Sequence, residues 1–193
     1  MSVDISSLTT RFAPPPAPIA HPTAVPLAML ARDLDSLPSA EFEARYGDAF
    51  LVLLASSPLP MGARPRMTRD IDLHSEGKRG QLVTAALPLR RRAAGAQSFL
   101  VVGRDEGCDI PIFDGTVSKM HALIERTASG AYRIYDSRSR NGTRVEETLV
   151  PVRGTGEPVS LTPGCNIRFG SVMTIFTDRE GVGRIGRAFA SKR

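Results

Sequence analysis

From His121 to Thr143 the chain runs His121-Ala122-Leu123-Ile124-Glu125-Arg126, a break at Ser129-Gly130, Tyr132-Arg133-Ile134-Tyr135, then Asp136-Ser137-Arg138-Ser139-Arg140-Asn141-Gly142-Thr143. Tyr132 and Ile134 alternate with Arg133, the period of two that turns one strand face to a core and the other to water. Asn141-Gly142 is a strong hairpin signal, because both central residues of a type I′ turn need positive φ. Outward from this stretch the same pattern repeats. Candidate strands are Leu82–Leu87, Ser98–Val102, Ile110–Phe113, Val159–Leu161, Asn166–Phe169 and Val172–Phe176, with Ile167 and Phe169 alternating against Arg168 and a turn at Pro163-Gly164. Many short strands with one apolar face, separated by turn residues, predict a mostly β fold, an antiparallel β-sandwich over residues 81–177.

The remainder of the 193 residues reads differently. Pro14, Pro15, Pro16, Pro18, Pro22 and Pro26 forbid helix and sheet pairing, so residues 1–26 are expected to be a disordered, Pro-rich arm. Leu27, Leu30, Leu34 and Leu37 recur near helical spacing, and Ser39 with Glu41 suits the start of a second short helix to Tyr46. Phe50–Leu54 is an apolar run compatible with a strand or a helix end. Residues 27–57 are therefore expected to form a short helical or mixed segment, part of a partly helical N-terminal extension. Pro58, Pro60, Gly62 and Pro65 mark 58–80 as a linker, and five basic residues with Gly181, Gly183 and Gly186 mark 178–193 as a basic, flexible tail.

Composition excludes some classes of function. The longest apolar run, Ala49 to Ala55, is far short of the roughly 18 residues a membrane span needs, and the N-terminus lacks a basic segment followed by an apolar one. A cytoplasmic location without membrane contact is expected. Cys108 and Cys165 make neither a disulfide framework nor a metal quartet, so no metal or other cofactor is expected. Net charge is −1 over residues 1–80 and +6 over 81–193, giving the overall +5. The basic half favours anionic partners through long-range attraction. Arg90-Arg91-Arg92 has no interleaved aromatic residue for base stacking and reads as a solvated loop rather than a nucleic-acid contact. The Ala/Arg/Pro-heavy composition suggests a bacterial origin.

Within the basic half, three short stretches supply complementary chemistry. Gly103-Arg104 places an arginine after a strand-ending glycine; guanidinium is a planar fork that grips two phosphate oxygens and stays charged. Ser118-Lys119-Met120-His121 supplies a hydroxyl, a backbone N–H and a cation. Asn141 has both a carbonyl acceptor and an amide donor, able to clamp a peptide main chain. Ser118, His121 and Asp136 could be imagined as a hydrolytic triad, but no Gly-x-Ser-x-Gly elbow frames the serine. The chain is expected not to be an enzyme.

Together with Cys108–Asp114, Val117–Ala122, Asp136-Ser137 and Asn141-Gly142-Thr143, and with Leu161, Gly164, Ile167 and Phe169-Gly170, these stretches resemble a forkhead-associated (FHA) domain over about residues 82–177. The resemblance implies a phosphothreonine-reading β-sandwich in which Arg104 and Ser118 take the phosphate and Asn141, assisted by Lys119 and Ser139, holds the peptide. It gives Gly103, His121 and Gly142 structural support of the site. Arg140 departs from the family pattern, which often has a small hydroxyl residue there.

The implied role is an adaptor that docks onto threonine-phosphorylated proteins marked by an upstream Ser/Thr kinase. A phosphorylation-independent scaffold or assembly protein is the alternative, against which the intact Arg104, Ser118 and Asn141 argue. Thr9 and Thr10, on the arm next to Arg11, are candidate sites for self-binding in cis or in a neighbouring copy if phosphorylated.

Overall fold

The computed structural model describes residues 24–53, 85–91 and 98–190. In chain order the elements are β1 (Val25–Pro26), α1 (Leu27–Ser36), α2 (Ser39–Tyr46), β2 (Ala49–Leu53), β3 (Ala85–Pro88), β4 (Phe99–Gly103), β5 (Ile110–Pro111), β6 (Ala122–Arg126), β7 (Tyr132–Asp136), β8 (Thr143–Val145), β9 (Thr148–Leu149), β10 (Val159–Leu161), β11 (Asn166–Phe169), β12 (Val172–Asp178) and α3 (Arg179–Ala190). They form two packed sheets, ordered β1-β3-β2-β12-β11-β8-β9 and β10-β7-β6-β4-β5. All strand pairs are antiparallel except β4–β5, which run parallel. The expected sandwich is present, and most predicted strands fall within a residue or two of the observed ones.

The inward residues of both sheets make the main core. Val102, Ile110, Ile124, Ile134, Ile167 and Phe169 are fully buried there, as the alternation of Tyr132-Arg133-Ile134 and Ile167-Arg168-Phe169 predicts. A second core lies on the opposite face of the larger sheet. There Leu27 and Leu30 of α1, Phe42 and Tyr46 of α2 and Val182 of α3 pack against Phe50, Val52 and Ala86. The molecule is thus three-layered, helices on sheet on sheet.

This second core redraws the expected division of the chain. Residues 27–53 are not a segment apart from the sandwich, because β2 sits inside the larger sheet between β3 and β12. Its Leu51 faces the inter-sheet core while Phe50 and Val52 face the helices. A strand buried on both faces reads as a continuous apolar run, which periodicity alone cannot tell from a helix end. The helices have simple local causes. Leu37 is extended because Pro38 follows it, which ends α1, and α2 stops at Gly47, whose φ is +87°.

The expected flexible tail is also corrected. Residues 179–190 are helical, and α3 lies across α1. Gly186 is the reason they approach: a Cβ there would stand 2.8 Å from the Cβ of Ala31. The glycines that read as flexibility serve close helix packing. The basic stretch at 90–92 is partly accounted for, with Arg90 donating to Arg45 O and Arg91 to Phe99 O at 3.3 Å, while Arg92 lies outside the described residues. The N-terminal arm with Thr9 and Thr10, the linker 58–80 and the start of the strand predicted at Leu82 lie outside the described residues as well. Among the described residues, no helix is long and apolar enough to cross a membrane.

Candidate functional site

Four connections meet at one end of the sandwich: the β4–β5 loop, the loop from Ile112 to His121, the β7–β8 loop, and the Gly170-Ser171 turn between β11 and β12. Gly103 closes β4 directly under the second of these. A Cβ on it would lie 2.1 Å from Lys119 O, so only glycine lets the two backbones cross there. Arg104 N donates to Ser118 O at 2.9 Å and Asp105 N to Lys119 O at 3.2 Å, which stitches the two loops together. The thiol of buried Cys108 donates to the same Lys119 carbonyl at 3.1 Å.

Arg104 is exposed, and its Nε donates to Val117 O at 3.1 Å. That bond orients the guanidinium, and among the described residues neither terminal nitrogen has a partner. No carboxylate among the described residues lies within ion-pair distance of it. Ser118 is held from both sides. Its N–H donates to Nδ1 of His121 at 2.9 Å, and its Oγ accepts Arg140 N–H at 3.0 Å. The hydroxyl proton is left to donate outward. The backbone N–H of Ser118 is spent on His121; that of the adjacent Lys119 has no acceptor within the described residues.

His121 is fully buried and explains its own expected supporting role. Because Nδ1 accepts from Ser118, the proton sits on Nε2, which donates to Gly142 O at 3.2 Å. Its ring packs edge-on against Phe169. Burial pushes the imidazole below its ordinary pKa, opposed by the bond to Gly142 and by Asp136. Both nitrogens bond backbone groups of two different loops, so the neutral ring pins them together. Protonation would break the Ser118 bond. The folded-state pKa lies under the unfolded value of about 6.5, so the unfolded chain binds the extra proton first. The stabilisation from the neutral ring is present above that value and lost as pH falls below it. We expect the melting temperature to drop on acidification below pH ~6.5, more steeply for the wild type than for His121→Gln; equal slopes in parallel thermal melts would refute this.

Asp136 is the hub of the β7–β8 loop, a role its sequence position did not disclose. It is buried; Oδ1 accepts Ser139 N at 2.8 Å, and Oδ2 accepts Ser139 Oγ at 2.6 Å and Thr143 Oγ1 at 2.7 Å. The signal was available as an Asp with a hydroxyl residue at i+3, a pattern that turns on its own backbone. This bears on two sequence readings. Ser139 spends its one O–H on Asp136, so that proton buttresses the loop and only the oxygen's lone pairs remain for the assisting contact. Asp136 bonds Ser139 and Thr143, not His121, so the Ser-His-Asp relay has no geometry here.

Asn141 is exposed and donates from Nδ2 to Thr116 O at 2.7 Å, leaving Oδ1 free as an acceptor. Gly142 has φ +73°, but Asn141 is not at positive φ and β7 and β8 lie in different sheets, so the expected type I′ hairpin is instead a crossover between the sheets. Thr116 was not anticipated: besides serving Asn141, its Oγ1 accepts Ser171 N at 3.0 Å, tying in the β11–β12 turn. Nothing in the local sequence marks it. Lys119 is exposed beside Ser118 and without an ion-pair partner among the described residues. Arg104, Ser118, Lys119 and Asn141 thus share one rim, braced by Gly103, His121 and Gly142. Among the described residues no cluster of three or more His, Cys, Asp or Glu could hold a metal ion.

Comparison with known proteins gives the following. Residues 100–170 match the family model of the FHA domain. Solved structures similar to the chain include the FHA domain of the CT664 protein from Chlamydia trachomatis, 21% identical over 67% of this chain and 97% of that one, with a TM-score of 0.42. The FHA domain of an Arabidopsis thaliana hypothetical protein is 22% identical over 68% of this chain and 86% of that one, TM-score 0.43. Mycobacterium tuberculosis EmbR, in complex with a low-affinity phosphopeptide, is 21% identical over 67% of this chain and 24% of that one, TM-score 0.40. No curated protein sequence matches the chain.

Proposed function

We propose, from the premise that this chain carries an FHA domain over residues 100–170, that it is a non-enzymatic adaptor docking onto threonine-phosphorylated proteins. FHA domains bind phosphopeptides, and the rim residues are suited to that task. Arg104 presents uncommitted terminal N–H groups, Ser118 a free hydroxyl proton and Lys119 a free backbone N–H and ammonium, which together match the three acceptor oxygens of a phosphate dianion. Asn141, fixed through Nδ2, offers Oδ1 to a main-chain N–H of the bound peptide. Conditional assembly follows: a Ser/Thr kinase marks the partner, and this protein then joins it.

The observation behind this reading is the convergence of an unpaired guanidinium and a hydroxyl whose lone pair is already occupied by Arg140 N–H. A site so arranged has donors to spare, and neither Arg104 nor Lys119 is ion-paired with a carboxylate among the described residues. The test is calorimetric titration of matched peptides bearing threonine, phosphothreonine or phosphoserine, drawn from a degenerate library. The expected result is binding of the phosphothreonine form with no measurable binding of the plain one. Equal affinity for both would replace this reading with that of a phosphorylation-independent scaffold. Self-binding through phosphorylated Thr9 or Thr10 belongs to the same proposal: phosphorylating the arm should lower affinity for external peptide.

A further inference from the structure

The two sides of this rim carry opposite charge. On the β4–β5 side stand Asp105, Glu106 and Asp109, with Asp105 Oδ1 accepting Gly107 N at 2.8 Å and Asp109 Oδ2 accepting Val101 N at 2.9 Å. Asp114, on the next loop, is turned onto Thr116 N at 2.8 Å. On the β7–β8 side stand Arg138 and Arg140, both exposed, with Lys119 at their border. None of these three cations lies within ion-pair distance of a carboxylate among the described residues. The acid nearest Arg138 and Arg140 in sequence, Asp136, is buried beneath the loop with both oxygens occupied.

Arg140 is placed at the phosphate site by its own backbone, since its N–H is 3.0 Å from Ser118 Oγ. Its long side chain therefore leaves from the border of that site. The next residue, Asn141, holds the free carboxamide oxygen, so a peptide lying over Asn141 passes the two arginines. Arg138 sits at φ 57°, a left-handed conformation seldom adopted by arginine, which the bonds of Ser137 N to His121 O and of Ser139 to Asp136 impose.

We propose that Arg138, Arg140 and Lys119 form an anionic subsite continuous with the phosphate position, so that the preferred partner carries aspartate or glutamate beside its phosphothreonine, on the side that lies over Asn141. On the other side, Asp105 and Glu106 disfavour acidic residues. This rests on the phosphopeptide reading and narrows it: the phosphorylation that supplies the ligand must act on a threonine in one-sidedly acidic surroundings. Each exposed pair is weak, but two or three acting together within a Debye length of about 8–10 Å yield an affinity gain of about 5- to 20-fold that shrinks with salt.

The experiment uses the full chain and phosphothreonine peptides with neutral flanks, with three glutamates on the N-terminal side only, or with three on the C-terminal side only. Wild type should bind one of the acidic peptides about 5- to 20-fold more tightly than the neutral one at low salt, and the other no more tightly. Arg138→Asp with Arg140→Glu should abolish that gain and favour a lysine-flanked peptide; should this pair fail to fold, Arg140→Gln should at least halve the logarithm of the gain. Equal affinity for all three peptides, or a gain untouched by these substitutions, overturns the subsite. Failure of every phosphopeptide to bind overturns the underlying reading instead.

Discussion

Arg104→Ala is expected to lower affinity for a phosphothreonine peptide about 30- to 1000-fold, the equivalent of roughly 2–4 kcal/mol. The cause is the loss of charge-assisted bonds to a dianion by a side chain that serves nothing else on the rim except Val117 O. Folding should be almost untouched, because Arg104 is exposed and makes no ion pair with the described residues. A lysine in its place should recover part of the attraction but not the two-pronged geometry. Calorimetric titration of both variants beside a thermal melt separates binding from stability. A variant that binds as the wild type does would remove Arg104 from the site.

The second large effect is expected from Gly103→Ala, acting on the scaffold. One added carbon would sit 2.1 Å from a backbone oxygen that already accepts Asp105 N and the Cys108 thiol. A contact that close forces β4 and the Ser118 loop apart, because the neighbour is main chain and has no rotamer to change. Overpacking of this kind costs about 1–3 kcal/mol, occasionally more. For a chain of this size that is a fall in melting temperature of about 2–12 °C. Affinity should fall with it, since Arg104 N and Ser118 O are the next bond along the same seam. A substituted protein that melts and binds normally would mean the loops do not cross as closely as described.

Together the two substitutions separate the parts of one rim. On the proposed function, Arg104 is expected to matter to the anion and little to the fold, and Gly103 to act only through the loop that carries Ser118. His121 falls between them, as a buried neutral ring whose proton decides whether Ser118 and Gly142 stay tethered.

Much of this was legible from residue order. Alternation at Tyr132-Arg133-Ile134 and Ile167-Arg168-Phe169 reports which face of each strand is buried, because the strand period is a property of the backbone. Asn141-Gly142 reports a turn, with Gly142 at positive φ, but not the hairpin it signals: Asn141 is not at positive φ, and β7 and β8 belong to different sheets. The residues of the rim were also nameable, since a fork, a hydroxyl and a carboxamide are chemical facts about side chains.

What residue order left open was decided by neighbours distant along the chain. Phe50–Leu54 is apolar throughout, and only the second layer of helices makes Ala49–Leu53 a strand covered on both faces. The glycines of 181–186 signal looseness until Ala31 is found against Gly186. Ser139 has the same hydroxyl as Ser118, and what distinguishes them is a buried carboxylate beneath one and an open rim above the other. Local sequence thus determines the period, the turns and the chemistry on offer. Which donors stay free for a ligand is determined by which are already used inside the fold, and that depends on contacts formed only when the loops are brought together.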